Sequence, residues 1–254
     1  MITFVETDRD TLESVIRKHQ SHKPKFSNYF FIDLDNVSYY EVSDTLILIK
    51  YYEHFHRVYF LSNNSETLVD ILNKLSSNDV INIPFKRDLS KDILDVLYKS
   101  GYTLFEVYER MYNSKVDYRG NFNANLANSS DVSDLYNLMM DNFNPFTDTL
   151  PNKTEIKDLI DKKWVLVSRG DDQRVNGTLI LKFEPKKCYF YIWVSSSNFR
   201  ESLNLFLNGF NYMHEKGYEM AYLWVRQSNN KPRKLYQTLG FQFDGLKDYT
   251  FTKQ

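Results

Sequence analysis

The sequence predicts an α/β (α+β) protein built from two tandem domains. Three observations support this class. Strand-like and helix-like segments alternate along the whole chain, the order of segments in the first half recurs in the second, and both halves end on a similar short pattern. The 254 residues suit two small domains, and a hydrophobic content of 42% supplies enough apolar side chains for packed cores.

The composition excludes several classes of protein. A net charge of −1, from 32 Lys+Arg and 33 Asp+Glu, argues against a general nucleic-acid binder, so no nucleic-acid partner is expected. The lone Cys188 allows neither an intramolecular disulfide nor a Cys-based zinc site, and we expect no metal. The first residues lack the basic start of a secretory signal, and the apolar runs are too short to span a membrane. We therefore expect a cytoplasmic protein, either a monomer or a homodimer.

Strand and helix signals in the first half follow one another in a simple order. Runs rich in Val, Ile, Tyr and Phe indicate strands, and apolar residues on one helical face, after a capping residue, indicate helices. The predicted elements are a strand at Ile2–Val5, a helix after Asp8, strands at Tyr39–Val42, Leu46–Lys50 and Arg57–Leu61, a helix capped by Ser65, a strand at Val80–Ile83, a helix from about Asp88 and a strand at Thr103–Met111.

The second half repeats this order. The predicted elements are a strand at Asn121–Leu126, a helix capped by Asp131, a helix at Glu155–Asp161, strands at Trp164–Val167, Val175–Phe183 and Cys188–Val194, a helix at Phe199–Lys216, a strand at Tyr222–Val225, a helix at Asn230–Leu239, and strands near Phe241–Phe243 and Tyr249–Phe251. The loop 142–151 contains two prolines and is not expected to be helical throughout.

The two halves also end alike. In each, a helix ends in Leu-Tyr, a Gly follows within a few residues, and an aromatic residue opens a strand: Leu97 to Tyr102 in the first half and Leu235 to Phe241 in the second. A Gly just after a helix is the usual left-handed cap. The repeat suggests duplicated domains, which we place at residues 1–116 and 117–254.

The run Val225–Phe241 resembles the C-terminal signature of the GNAT superfamily, the acyl-CoA-dependent N-acyltransferases. Five positions match: Asn229, Leu235, Tyr236, Gly240 and Phe241. Pro232 stands where Ala or Ser is usual, and the first turn of a helix accepts Pro. The resemblance implies a tandem GNAT protein with a degenerate first half. Each half would hold a mixed, mostly antiparallel sheet with one parallel strand pair, flanked by helices.

The spacing of the signature suits acyl transfer. A thioester releases a thiolate that must be protonated, and a Tyr at the mouth of two splayed parallel strands can donate that proton. Seven positions make about two helical turns, so Asn229 and Tyr236 share a helix face. The resemblance implies that Tyr236 is the general acid and that Asn229 anchors the pantetheine arm or the backbone. Simple core packing for Tyr236 and a simple helix cap for Asn229 are the alternatives.

The resemblance also implies an acetyl-CoA (or other acyl-CoA) site between a strand and the long helix. The family's Gly-rich phosphate loop is replaced here by a segment without Gly, and Glu201 adds a negative charge to it. The alternative is a capped helix that merely follows a strand. The positions that correspond to the cofactor site are Trp193, Val194, Ser195, Arg200, Glu201, Ser202, Leu203, Asn204 and Leu205, together with Asn229 and Arg233.

The leading hypothesis for function is an N-acyltransferase, most simply an N-acetyltransferase, that acts on a small amine. One alternative is a non-catalytic GNAT-like protein that binds a ligand or a partner. Another is an aminoacyl-type transferase, because Phe26–Phe31, with Tyr40, Asp44, Leu46 and Ile47, resembles the first half of tandem families that transfer aminoacyl groups to lipids. His54 and His56 share a face at strand spacing, and two His alone make no zinc site.

Overall fold

The computed structural model describes residues 2–30, 33–118, 120, 123 and 125–253. They form two compact units. Unit 1 comprises Met1–Tyr108 and Gly245–Gln254, and unit 2 comprises Glu109–Asp244. The last ten residues are counted with unit 1 because they carry a strand that pairs within that unit. The division of the sequence into domains 1–116 and 117–254 remains a proposal about the duplication.

Strands and helices alternate along the described residues. The strands are β1 (Val5–Glu6), β2 (Phe26–Ser27), β3 (Val37–Val42), β4 (Thr45–Tyr51), β5 (His56–Ser62), β6 (Asp79–Phe85), β7 (Tyr102–Asn113), β8 (Asn125–Leu126), β9 (Val165–Arg169), β10 (Val175–Phe183), β11 (Cys188–Ser195), β12 (Ala221–Arg226) and β13 (Gln242–Lys253). The helices are α1 (Arg9–Ser21), α2 (Ser65–Asn73), α3 (Lys91–Lys99), α4 (Val132–Asn142), α5 (Lys153–Asp161), α6 (Phe199–Glu215) and α7 (Asn230–Thr238).

Unit 1 is a sheet with the strand order β1-β3-β4-β5-β6-β13. Its neighbouring strands are antiparallel except for β5 and β6, which are parallel over only three residue pairs, from His56↔Asp79 to Val58↔Ile81. The residues that α1 buries, such as Leu12, pack against one set of strand residues, and those of α2 and α3 pack against another. The sheet is therefore covered by two separate apolar clusters.

Unit 2 has the strand order β12-β11-β10-β9-β8. Its strands are antiparallel except for β11 and β12, which are parallel over Cys188–Phe190 and Ala221–Leu223. Helix α6 packs with one apolar cluster of these strands, and α4 and α5 pack with another. At Gly209 a side-chain Cβ would lie 2.3 Å from Leu179 Cδ2, so the missing side chain is what lets α6 approach the sheet.

Both units therefore follow one order: three antiparallel strands, a helix, a strand parallel to the third, a second helix and a last strand. This confirms the predicted α/β class and the single parallel strand pair in each half. The short parallel ladders matter for function, because beyond them the two strands of each parallel pair no longer pair with each other.

Three predicted helix starts are wrong in detail. Asn64, not Ser65, caps α2 with its side chain, because its Oδ1 accepts the N–H groups of Glu66 and Thr67 at 3.0 Å. The helix expected from Asp88 begins at Lys91, after Ser90. Asp131 stands at the N-cap position of α4 but makes no side-chain capping bond to it: its carboxylate binds Arg169 and accepts the Asn128 N–H, which closes a capping box on the 3-10 turn that precedes α4.

Other differences are local. The two closing strands expected near Phe241 and Tyr249 are one strand, β13, which passes through Gly245. Of the strand predicted at 121–126 only Asn125–Leu126 is seen as β8, while residues 121, 122 and 124 lie outside the described residues, as does residue 31 of the aromatic stretch at 26–31. His54 precedes β5, and His56 bonds to Asp79 at 2.9 Å.

Candidate functional site

Strands β11 and β12 separate at their carboxyl ends. Their parallel pairing stops at Phe190↔Leu223, and no strand of the described residues pairs with residues 191–195 of β11 on that side. The register between β10 and β11 also shifts here, from Ile180↔Ile192 to Leu181↔Phe190, which leaves Tyr191 as an extra residue. Such a bulge bends a strand and re-aims its side chains. Unit 2 therefore has an open strand edge that begins at Tyr191.

Two predicted site residues lie together beside this opening. The ring of Tyr236, on α7, lies 6.0 Å from the Trp193 ring and 5.5 Å from the Phe206 ring, measured between centroids. Tyr236 is only 8% exposed, and burial raises its pKa well above the ordinary value, so the phenol keeps its proton to a higher pH than an exposed tyrosine does.

Both side chains hold unused hydrogen-bonding capacity. The indole Nε1 of Trp193 is buried and has no partner, and no hydrogen bond to the Tyr236 hydroxyl is found among the described residues. Buried donors without partners are uncommon, because leaving one unsatisfied costs roughly 1–3 kcal/mol. The pair is consistent with a site that receives an acceptor atom from a ligand.

Asn229 and Arg233 have different surroundings. Asn229 occupies the N-cap position of α7, but its side chain makes no capping hydrogen bond, so the simple-cap alternative is wrong. Its amide is exposed and not committed to the helix. Arg233 is engaged: its Nη2 lies 2.6 Å from Glu109 Oε2, and its guanidinium carbon lies 4.9 Å from the centre of the Phe243 ring.

The N-terminus of α6 is the candidate anion contact. Asn198 caps the helix by accepting the Glu201 N–H at 3.1 Å, and the Ser196 and Ser197 N–H groups bond to the Asn176 carbonyl and to the Ser195 hydroxyl. No hydrogen bond of the first two N–H groups of α6, at 199 and 200, is found within the described ranges. Phe199 is 66% exposed, so this end of the helix is open to solvent.

The remaining predicted cofactor residues are placed by helix and sheet. Ser202 to Leu205 lie within α6, where N–H groups from the fourth residue onward bond inside the helix. Leu205 is 3% exposed and packs in the α6 cluster, and Val194 packs in the α4 and α5 cluster. The structure thus brings Trp193 and Tyr236 together against Phe206 of α6, and it leaves Leu205 as a packing residue, whereas Leu203 is half-buried and belongs to none of these apolar clusters.

The structure adds residues that sequence reasoning missed. The loop 143–152 is tied to the carboxyl ends of both separated strands. Arg226 at the end of β12 bonds to Asp148 at 2.5 Å, and the Tyr191 hydroxyl donates to the Thr149 carbonyl. Asp148 also accepts the Asn144 N–H at 2.9 Å. Arg226 and Asp148 are 78 positions apart, and nothing local in the sequence indicates their pairing.

The corresponding place in unit 1 is filled by the chain itself. Beyond Val58↔Ile81, β2 pairs with β5, and the Asn28 side chain bridges the gap. Its Nδ2 donates to the carbonyls of Val58 at 2.9 Å and Asn82 at 3.0 Å, and its Oδ1 accepts the Phe60 N–H at 2.7 Å. The open edge present in unit 2 is therefore satisfied internally in unit 1.

Unit 1 also differs in charge. A groove of about 530 Å³ lies between α2 and α3, and four carboxylates border it against two lysines: Glu66, Asp70, Asp92 and Asp95 against Lys25 and Lys99. An acidic border disfavours a polyanion. Tyr98, which holds the place of Tyr236 in the order of elements, is 51% exposed.

Comparisons with known proteins agree on the fold. No protein-family model matches the sequence, and no curated protein matches it. Among solved structures, a GCN5-related N-acetyltransferase from Sphaerobacter thermophilus is 13% identical, with 95% of this chain and 84% of that chain covered at a TM-score of 0.60. A putative GNAT-family acetyltransferase from Novosphingobium aromaticivorans is 14% identical, with 92% and 93% covered at 0.55.

A tandem GNAT protein from the clavulanic acid biosynthesis pathway is 8% identical, with 99% of this chain and 98% of that chain covered at a TM-score of 0.55. Identities this low show the fold alone. The chain thus has a GNAT-like fold that aligns along its full length with a tandem GNAT protein, as the resemblance implied. None of the helices in the described ranges is both long and apolar enough to cross a bilayer.

Proposed function

We propose that the protein is an N-acyltransferase that moves an acyl group, most simply acetyl, from acyl-CoA to a small amine. One observation carries the proposal: unit 2 keeps an open strand edge beside the buried, unpartnered Trp193 Nε1 group and the Tyr236 side chain. The GNAT-like fold supports it, since one neighbour with this fold is described as an N-acetyltransferase and another as a putative acetyltransferase.

The residues present fit an acyl-CoA in three places. The unpaired edge of β11 from Tyr191 to Ser195 offers backbone groups to the amide-bearing pantetheine arm. The first turn of α6, with Arg200 beside it, offers N–H groups and positive charge to the diphosphate. The exposed Asn229 amide offers a further anchor. When bound, acyl-CoA would supply an activated thioester.

Tyr236 would act by holding a proton until it is needed. Its hydroxyl is protonated at neutral pH, as in any tyrosine, and burial disfavours the phenolate further, so the group can donate to a leaving thiolate. The Trp193 Nε1 group would donate a second hydrogen bond to an oxygen in the same place. Neither group has to move away from a protein partner first, so the arrangement is preorganised.

The loop 143–152 would border the acceptor. Arg226 binds Asp148, and Asp148 in turn fixes the Asn144 N–H, so the loop is held in one conformation at the ends of β11 and β12. We propose that Asp148 and Arg226 are positioning residues. Breaking their pair would loosen the loop and raise KM for the amine more than it would lower kcat.

Direct binding tests the proposal first. A ligand that binds only the folded chain at a hundredfold excess over its Kd stabilises it by roughly 2.7 kcal/mol, so millimolar acetyl-CoA should raise the melting temperature. Arg200→Ala should weaken binding, whereas Arg174→Ala, in an exposed turn, serves as the matched control. An unchanged melting temperature with acetyl-CoA would rule out the cofactor. Thiol release with a panel of amines then tests turnover.

A non-catalytic GNAT-like binding protein is the second candidate, and a specific observation favours it. The N–H groups of Ser196, Ser197 and Glu201, which a phosphate loop would use, are already bonded within the chain. This candidate predicts that acetyl-CoA or another ligand raises the melting temperature while no amine in the panel gives turnover above the rate of hydrolysis.

A further inference from the structure

Lys182 on β10 carries a partly buried amine without an acidic partner. Its position is paired in register with Tyr189 of β11, and its Nζ lies 3.4 Å from the centre of the Tyr191 ring. No carboxylate within ion-pair distance and no hydrogen bond of this amine are found among the residues that the structure describes. An aromatic face stabilises an ammonium only modestly compared with a carboxylate.

Burial of this amine favours its neutral form. Burial lowers the pKa of Lys182 from 10.5 to about 8. The negative charge of Glu155 partly offsets this effect, and the positive charge of Lys162 adds to it. Glu155 itself is committed to capping α5, since its Oε2 accepts the Asn152 N–H at 2.8 Å. Near pH 7.5 the uncharged fraction of such an amine is about two hundred times that of an ordinary lysine.

The backbone of Lys182 pairs inside the closed part of the sheet, but its amine reaches the residue at which the open edge of unit 2 begins. Tyr191, whose ring lies under the Lys182 Nζ, is both the extra residue of the β11 bulge and the first residue beyond the β11–β12 pairing. The same residue therefore borders the proposed thioester position with its backbone and holds the lysine with its ring. Proximity of this kind raises the effective concentration of a nucleophile greatly.

We propose that Lys182 is a site of self-acylation, at which the chain takes an acyl group from its own bound acyl-CoA; this rests on the proposed function. The neutral Nζ forms a bond to the thioester carbonyl carbon, the carbon–sulfur bond breaks, and the proton lost by nitrogen ends on the sulfur. The products are an N-acyl-lysine and CoA thiol. The amide is uncharged, so the modified chain loses the cation over Tyr191.

The test uses the full-length chain with two donors and mass spectrometry of its peptides. Acetyl-CoA requires the cofactor site, whereas p-nitrophenyl acetate reports amine reactivity without it. Lys187 is the internal control, because its Nζ also lies over a tyrosine ring, 4.5 Å from the centre of Tyr222, but pairs with Glu184 at 3.3 Å. We expect Lys182 to be acetylated at least tenfold faster than Lys187 by both donors. Excess CoA should suppress only the acetyl-CoA reaction, and Lys182→Arg should abolish the fast phase.

The possible failures are distinguishable. If acetyl-CoA raises the melting temperature but labels Lys182 no faster than Lys187, self-acylation is overturned and the proposed function stands. If acetyl-CoA neither stabilises nor labels the chain, both fall. Equal labelling of the two lysines by the small ester would overturn the argument that this amine is unusually reactive.

Discussion

Asn28→Ala is the substitution that most directly tests why unit 1 differs from unit 2. The Asn28 side chain is 4% exposed and makes three hydrogen bonds to backbone groups of Val58, Phe60 and Asn82. Each buried bond contributes about 1 kcal/mol net, and each group left unsatisfied costs more. Because alanine satisfies none of the three groups, we expect unfolding of unit 1 to become easier by about 3 kcal/mol.

The assay is urea unfolding monitored by fluorescence and circular dichroism, with the loss assigned to the transition of unit 1 if two are resolved. Asn73→Ala is the matched control, since Asn73 is an exposed residue at the end of α2, and it should change stability by less than about 0.5 kcal/mol. Titration calorimetry adds a second measurement: the wild-type chain should bind one acetyl-CoA. A loss below about 1 kcal/mol, or two acetyl-CoA per chain, would refute the reasoning.

Three further predictions concern unit 2. Tyr236→Phe keeps the ring and removes the proton donor, so turnover should fall by about 10²–10⁴-fold with unchanged acetyl-CoA affinity and stability; unchanged turnover would support core packing alone. Gly209→Ala places a Cβ 2.3 Å from Leu179 Cδ2. Overpacking costs about 1–3 kcal/mol, which exceeds the gain of about 1 kcal/mol in helix propensity, so urea unfolding should show a net loss of stability. A gain in stability would contradict this packing. Partial burial alone would raise the pKa of Asp131, but hydrogen bonds from Arg169 outweigh it and lower that pKa below 3.8. The folded state is therefore stabilised above this pH, and it loses that stabilisation as the pH falls through the depressed pKa. Asp131→Asn should flatten the dependence of the free energy of unfolding on pH in that range. An unchanged dependence would show that the Asp131–Arg169 pair is not its cause.

Local patterns were sufficient to predict most elements of the fold. The strand β10 was predicted at its observed bounds, and α6 within one residue, because apolar residues recur at the spacing of one face. Helix starts were less predictable, since Asn64 and Ser65 are both good caps and only the folded backbone selects one. The sequence predicts two strands in place of β13, because the polar Asp248 interrupts the apolar pattern. Asn82, which bonds to Asp248 in the fold, is 166 residues away.

The candidate site was predictable only where a motif covers it. The spacing of Asn229 and Tyr236 predicts the helix α7 as part of the site, and the strand before α6 predicts Trp193. Two ion pairs join segments that are distant in the sequence, so no local pattern predicts them: Arg233 with Glu109, and Arg226 with Asp148. The hydrogen bonds by which Asn28 bridges β5 and β6 in unit 1 could not be predicted either, because an isolated Asn in an aromatic stretch is typical of a loop.

The place of β13 at the end of the sequence determines when the sheet of unit 1 can be completed during translation. The residues of β13 from Gly245 onward complete the sheet of unit 1, yet they are translated after all of unit 2. At about 5–20 residues per second, a ribosome spends roughly 10 s or more on the intervening segment. A sheet formed from the earlier strands before then would have β6 at its edge, and an unpaired edge is a template for aggregation. Pro84 in β6 has no N–H group, so at that position the edge that β13 later covers offers no hydrogen-bond donor to a strand of another chain.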